Sequence, residues 1–192
     1  MAYVTYTTKA LVCGTFNRNT ADRSYLLFTR EAGMLYADAK SAREERSRQR
    51  YALQEFSLIR VSLVKGKRGW RVGSIESLKN YYHDAIDKDS RGSVVSLCRL
   101  LRRFVKGEES MPDLFDYTVL ALDELIKHTE ERSFVSVTVQ VRILAYLGYV
   151  NMNMVPESVR DIAPKDIAIK RNAEVDKQVN SIYTHAVSMS HL

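Results

Sequence analysis

The densest chemistry in this chain is cationic. Residues 40–50 read Lys-Ser-Ala-Arg-Glu-Glu-Arg-Ser-Arg-Gln-Arg, with Lys40, Arg43, Arg46, Arg48 and Arg50 set against two glutamates. Four of these five cations are arginine, whose planar fork matches phosphate oxygens and stacks on bases. In an extended segment Arg46, Arg48 and Arg50 would share one face. A second cluster, Lys65, Lys67, Arg68 and Arg71, surrounds the single tryptophan, Trp70. An aromatic ring among cations suits single-stranded nucleic acid, since stacking on a base contributes about 1–3 kcal/mol whatever the base. Tyr36 is a second candidate ring. Each feature also has a plainer reading. Charge runs are commonly solvated loops, and a strand tryptophan more often packs in a core.

The distribution of charge favours the polyanion reading. The net charge is +6. Residues 1–72 hold 14 Lys and Arg against 6 Asp and Glu, a net of +8, whereas residues 73–192 hold 15 against 17, a net of −2. A solubilising surface does not require such segregation, and a basic module joined to a near-neutral one does.

No catalytic constellation stands beside these clusters. There is no G-x-S-x-G, no G-x-G-x-x-G and no H-E-x-x-H around His83 or His128, and Gly66-Lys67-Arg68 is not a phosphate-binding loop of the nucleotidase type. Asp84, Asp87 and Asp89 read as solvated charges rather than metal ligands. Cys13 and Cys98 are far apart and form no C-x-x-C, so a four-cysteine zinc site is excluded and two reduced, buried thiols are expected. The expectation is a non-enzyme without cofactor or metal. Residues 1–9 show no apolar signal core, and no run approaches the roughly twenty apolar residues of a membrane span, so a soluble, cytoplasmic protein is expected.

With 192 residues, 45% of them apolar, the chain can form one medium or two small packed domains. The first part reads as β. Segments 3–14, 24–29 and 34–39 are rich in Thr, Tyr, Val and Leu. Gly14 marks a turn or bulge, and Gly33 closes a short hairpin at a positive φ. Segment 57–65 alternates Ile59, Val61 and Leu63 with Arg60, Ser62 and Val64. A Gly66-Lys67-Arg68-Gly69 turn then leads into a strand over 70–75. Five short strands with a basic connection between the third and fourth predict a small OB barrel over residues 1–75.

From residue 76 the period turns helical, predicting an all-α bundle over 76–192 and an α+β, two-part protein. Helices are expected at 76–85, 94–105, 114–126, 134–147 and about 165–187. Ser110 to Asp113 resembles a capping box, and 114–126, apolar nearly all round, reads as the central helix. Val175, Val179, Ile182, Ala186 and Met189 form a 4-3-4-3 seam, expected to pack within the molecule. Residues 151–164, with two of the three prolines, read as the long loop.

Several of these residues, in order, resemble one family, RecO, the bacterial recombination and repair mediator. Thr7-Thr8-Lys9-Ala10-Leu11-Val12 is similar to its opening strand. Asp22-Arg23 with Leu26 to Arg30, and then Gly33, is similar to its second strand and turn. Ala39-Lys40-Ser41-Ala42-Arg43 stands where the family has A-K-G-A/V-R, and Leu53-Gln54-Glu55-Phe56 where it has L-Q-P-F. Arg142 to Tyr149 resembles its L-x-x-L-G-Y segment. The resemblance spans roughly residues 4–150. Ser41 departs from the usual Gly and Glu55 from the usual Pro. The chain resembles a short member lacking the zinc-binding cysteines, with only residues 151–164 where relatives carry that element after the L-G-Y segment.

The resemblance implies a nucleoid-associated protein that binds single-stranded DNA, with duplex held more weakly, and anneals complementary strands. It implies partners too: a RecR-type mediator, the acidic tail of single-strand-binding protein, and a RecA-type recombinase that it helps to load. DNA contacts are then expected at Lys40, Arg43, Arg46, Arg48, Arg50, Lys65, Lys67, Arg68, Trp70 and Arg71. Arg99, Arg102, Arg103 and Arg132 are candidates for the acidic tail. Two other classes compete: a protein-interaction adaptor without DNA contact, and an OB-type RNA-binding protein, which the 2′-hydroxyl would distinguish.

Overall fold

A computed structural model describes residues 4–44, 46–127 and 129–189, with Val4 and Arg48 described by backbone alone. The Arg48 side chain, His128 and His191 lie outside the described residues. The chain divides into two compact units. The first runs to Asp84 and also takes in Val105–Phe115; the second comprises Ala85–Phe104 and the chain from Asp116 onward.

The first unit is built on five strands: β1 (Val4–Asn17), β2 (Arg23–Thr29), β3 (Gly33–Ala39), β4 (Ser57–Gly66) and β5 (Gly69–Asn80). They close in the order β1-β2-β3-β5-β4, an OB barrel. All neighbours are antiparallel except the closing seam, where β3 and β5 pair in parallel at Ala37 with Trp70 and Asp38 with Arg71. β1 serves two partners. Its pairing with β2 shifts register between Val12 and Gly14, a bulge that bends the strand as the barrel requires. Alternate residues fill the interior: Ala10, Val12, Tyr25, Leu27, Leu35, Ala37, Ile59, Val61 and Leu63. Burying a branched aliphatic or Phe side chain contributes roughly 1.5–3 kcal/mol.

The other face of β2 and β3 carries Ser24, Leu26, Phe28, Met34, Tyr36 and Asp38. One end of it is covered by Val105–Phe115 from the same unit. Met34 N–H donates to the Gly107 carbonyl at 3.0 Å, and the Phe28 and Phe115 rings lie 5.4 Å apart. Gly33 lies here at φ 61°, where an added Cβ would stand 2.7 Å from the Gly107 carbonyl oxygen, so this position needs glycine twice over. The other end, at Tyr36 and Asp38, is left open.

One expectation fails in this unit, and the condition for a shared arginine face is not met. Residues 76–80 are strand, not helix. β5 continues through Ile59–Ser77, Leu58–Lys79 and Ser57–Asn80 pairs, and only α2 (Tyr81–Asp84) is helical. The local sequence Glu-Ser-Leu-Lys suits a helix, but the ladder offered by β4 overrides it. Asn80 marks the change: its side-chain oxygen accepts from the Tyr82 and His83 backbone N–H groups. The basic connection is not extended either. Residues 40–44 form turns and α1 (Arg48–Ala52) follows, while buried Ala42 and Leu53 anchor the segment.

The second unit is helical: α3 (Lys88–Phe104), α4 (Pro112–Leu125, whose first turn belongs to the first unit), α5 (Arg132–Tyr146), α6 (Glu157–Arg160) and α7 (Ala173–Met189). α4 opens one residue later than a Ser110 cap would give. Phe115 N–H bonds to the Met111 carbonyl, and Pro112 takes the first helical position, where its missing N–H costs nothing. The central helix is α5, buried from Phe134 to Ala145 except at half-buried Val137. Its Ser, Thr, Gln and Arg side chains hide this in the sequence. Buried Gln140 resolves the difficulty: its oxygen accepts from Ser96 on α3 and Tyr183 on α7, and its amide donates to the Ser136 carbonyl.

α5 ends in a Schellman motif, with Gly148 at φ 78° and the Tyr149 N–H on the Leu144 carbonyl. The last helix begins at Ala173 rather than 165. Pro164 opens the first of two 3-10 turns, Pro164–Asp166 and Ala168–Lys170, and Asn172 then accepts from the Val175 N–H. Residues 151–164 are not one open loop: the 3-10 turn Met152–Met154 and α6 lie within them. Val175, Val179 and Ala186 of the apolar seam are buried; Met189 is exposed. Cys13 and Cys98 are buried thiols outside any disulfide. Among the described residues, no helix is long and apolar enough to cross a membrane.

Candidate nucleic-acid interface

Two adjoining clefts cross the outer surface of the barrel at the β3–β5 seam. The first, of about 570 Å³, is lined by Arg18, Asn19 and Asp22 from the β1–β2 loop and Asp38 from β3. Lys40, Gln49, Arg68 and Arg71 complete it. The second, of about 730 Å³, is lined by Phe16, Ser24, Met34, Tyr36, Trp70 and Glu108 among others. Arg18, Asp38, Arg68 and Gly69 border both. The β1–β2 loop, the β2–β3 face and the β4–β5 hairpin are where OB barrels take oligonucleotides.

Local sequence explains each placement. The run Arg18-Asn19-Thr20-Ala21-Asp22 does not continue the strand. The Asn19 side chain accepts from the Ala21 and Asp22 N–H groups and donates to the Asp22 carboxylate, fixing a tight loop. Asp22 also accepts from the Ser41 N–H at 2.9 Å. These hydrogen bonds, first that of Asn19 and then that of Ser41, hold the Asp22 carboxyl below the usual carboxylate range. Ser41 adopts φ 53°, the left-handed conformation that favours the glycine it replaces. Lys67 and Arg68 occupy the tip of the β4–β5 hairpin, between paired Gly66 and Gly69.

The first cleft holds four cations and two carboxylates. Arg18 is paired with Asp38, and Lys40, Arg68 and Arg71 outnumber the remaining Asp22 carboxylate, so four cations against two carboxylates leave the cleft a net +2. An ion of opposite sign at such a surface is attracted over about a Debye length, near 8 Å at physiological salt.

Of the expected DNA contacts, Lys40, Arg68 and Arg71 share the first cleft, and Trp70 borders the second. Trp70 is half-buried against the core, 6.5 Å from the Tyr6 ring, and its buried indole N–H finds no acceptor among the described residues. Lys65 covers that ring at 4.9 Å and pairs with Glu108 at 3.3 Å. Arg43 is exposed but donates to the Asn19 carbonyl at 2.6 Å, tying the two loops together. Arg46, Arg50 and Lys67 are exposed and line neither cleft. Arg18, Asn19 and Phe16 were not anticipated. A rule about the first loop of a five-stranded barrel, applied to residues 18–22, would have found the first two.

The four arginines of the second unit separate. Arg99 and Arg102 are exposed, one turn apart on α3. Arg103 donates to the Val187 carbonyl on α7. Arg132 is buried, donating to Asp87 at 3.0 Å and to the Lys127 carbonyl at 2.8 Å. Asp87 itself caps α3, accepting from the Ser90 N–H at 2.7 Å. Among the described residues no three His, Cys, Asp or Glu side chains gather as a metal site needs.

A closed OB barrel with a loop-flanked cationic cleft, followed by a helical unit, defines the class of protein. Two sequence profiles match it: Recombination protein O N terminal over residues 1–81, and Recombination protein O C terminal over residues 91–150. The chain belongs to the RecO family. It is similar to proteins named DNA repair protein RecO from Desulfitobacterium hafniense (strain DSM 10664 / DCB-2), 29% identical over 75% of this chain and 52% of the relative. Another is that of Desulforudis audaxviator, 29% identical over 75% of this chain and 57% of the relative. A third, from Myxococcus xanthus, is 29% identical over 57% of this chain and 46% of the relative. The chain spans about half the length of these relatives.

Proposed function

We propose that this chain is a non-catalytic DNA repair protein of recombination. It binds single-stranded DNA along the barrel clefts and duplex more weakly, and it anneals complementary strands. It assists loading of a RecA-type recombinase with a RecR-type partner. The observation that carries the reading is the convergence of Arg68 and Arg71 from the β4–β5 hairpin, Lys40 from the β3–β4 connection and Arg18 from the first loop on one cleft. Family membership, and the DNA repair name its relatives bear, support it. Annealing needs two phosphate backbones screened at once, which a surface of this kind provides without any catalytic group. Arg99 and Arg102 are the proposed contact for the acidic tail of single-strand-binding protein.

The test is fluorescence anisotropy with labelled single-stranded DNA over a salt series, with duplex and RNA competitors. Binding is expected to weaken with salt, with a slope near 0.7 per phosphate neutralised. Replacing Lys40, Arg68 and Arg71 by Ala together should lower that slope by about 2. An unchanged slope would remove the cleft from the site. Preference for RNA would favour the RNA-binding class, and no binding at low salt the adaptor.

A further inference from the structure

Phe16 and Tyr36 are distant in sequence, and both are large apolar rings left open to solvent, at 37% and 59% exposure. They approach to 5.8 Å at an interplanar angle of 57°. The strand register explains the meeting. Phe16 pairs with Ser24, and Gly14 with Leu26, which in turn pairs with Tyr36. The two rings therefore stand on the outer face on either side of β2, one on β1 and one on β3, and meet above a stretch where Ser24 is small and Gly14 contributes no side chain. A solvated aromatic pair of this kind gains nothing in the fold from its exposed area.

Its surroundings say what it takes. The rings line the second cleft, and the cations Lys40, Arg68 and Arg71 line the first, with the Arg18–Asp38 pair on the border between them. A ligand that fits both clefts carries anions along one edge and flat apolar groups along the other. An unpaired DNA strand has that shape; a duplex hides its base faces in its own stack.

Resting on the proposed function, we infer that Phe16 and Tyr36 form a base-stacking platform that selects unpaired over paired DNA, with the phosphates running along Arg68 and Arg71. The Arg18–Asp38 pair leaves the border between the clefts without excess charge, so the backbone lies on the first side, along Lys40, Arg68 and Arg71, and the bases on the second. Trp70, seated on the core, serves as the floor of the second cleft rather than the platform.

The experiment compares binding of an oligo-dT and an abasic strand of equal length and charge by the full chain, its Tyr36→Ala variant and its Tyr36→Phe variant. The wild-type chain should prefer the intact strand by about tenfold. Tyr36→Ala should lose that preference and keep the salt slope, and Tyr36→Phe should keep both. Phe16→Ala should behave as Tyr36→Ala does, and thermal melts check that the variants fold. Wild-type binding that is salt-dependent but blind to abasic substitution, or a Tyr36→Ala chain that still discriminates, overturns the platform and leaves the cationic cleft standing. A wild-type chain that binds neither strand overturns the proposed function, and the platform with it.

Discussion

Arg18 and Asp38 form an ion pair on the border of both clefts, joining the first loop of the barrel to its third strand. The Arg18 side chain is exposed and that of Asp38 about a quarter so. The pair therefore adds little to stability, and its effect is on the field that a polyanion meets. Asp38→Asn removes one negative charge and releases Arg18 for phosphate. Binding of single-stranded DNA should tighten by roughly two- to fivefold at low salt, the factor that corresponds to an exposed charge pair. Anisotropy titration of the variant checks this, and weaker binding would show that Asp38 holds the cleft in shape.

Two residues with positive φ should respond in opposite ways to substitution. Gly33→Ala places a methyl group against the backbone at Gly107 and Glu109 and strains φ as well. It should cost about 2–4 kcal/mol in chemical denaturation. Ser41→Gly relieves the left-handed strain at φ 53° but frees the unfolded chain. The balance should be a gain of up to about 1 kcal/mol. A destabilised Ser41→Gly variant would mean that the serine hydroxyl contributes to the turn.

Gln140 ties three helices through one buried carboxamide. Gln140→Leu fills the space but strands the hydroxyls of Ser96 and Tyr183. A loss of about 1–3 kcal/mol is expected, read as a lower denaturation midpoint. Adding Tyr183→Phe should recover part of it, since one stranded group is then removed.

The Asp87 carboxyl titrates below the usual carboxylate range, held there chiefly by the Ser90 backbone N–H and further by the Ser90 and Arg132 side chains. Its folded pKa lies below its unfolded one. Its stabilising contribution is therefore present above the unfolded value, near 4, and is lost as pH falls through the folded value. Asp87→Asn should lower the melting temperature at pH 7 and make less difference as the pH drops below 4. Parallel melting curves of the two proteins at all pH values would contradict this linkage.

The strands, the hairpin glycines and the segregation of charge were legible in the sequence because they rest on local rules. β-prone composition marked 24–29 and 34–39, alternation marked 57–65, and Gly33 stood where a positive φ was needed. Three features escaped. Residues 76–80 have no strand signal of their own and take their conformation from the β4 ladder. α5 is central although Thr138, Gln140 and Arg142 interrupt its apolar pattern, because Ser96 and Tyr183 donate to the Gln140 oxygen and Arg142 donates to the Ile162 carbonyl.

The interface escaped for the same reason. The sequence determined that the first 72 residues carry the excess cations, and that Tyr36 and Trp70 were aromatic candidates beside them. Only barrel closure decided which cations meet. The parallel seam sets Asp38 beside Arg71, which brings Arg68 to Arg18 and Lys40. The run at 40–50 would present its arginines on one face only if extended, and it folds instead into turns and a short helix. Charge is written residue by residue, but a binding surface is a property of distance, and the distances here are set by hydrogen-bonded register between strands far apart in the chain.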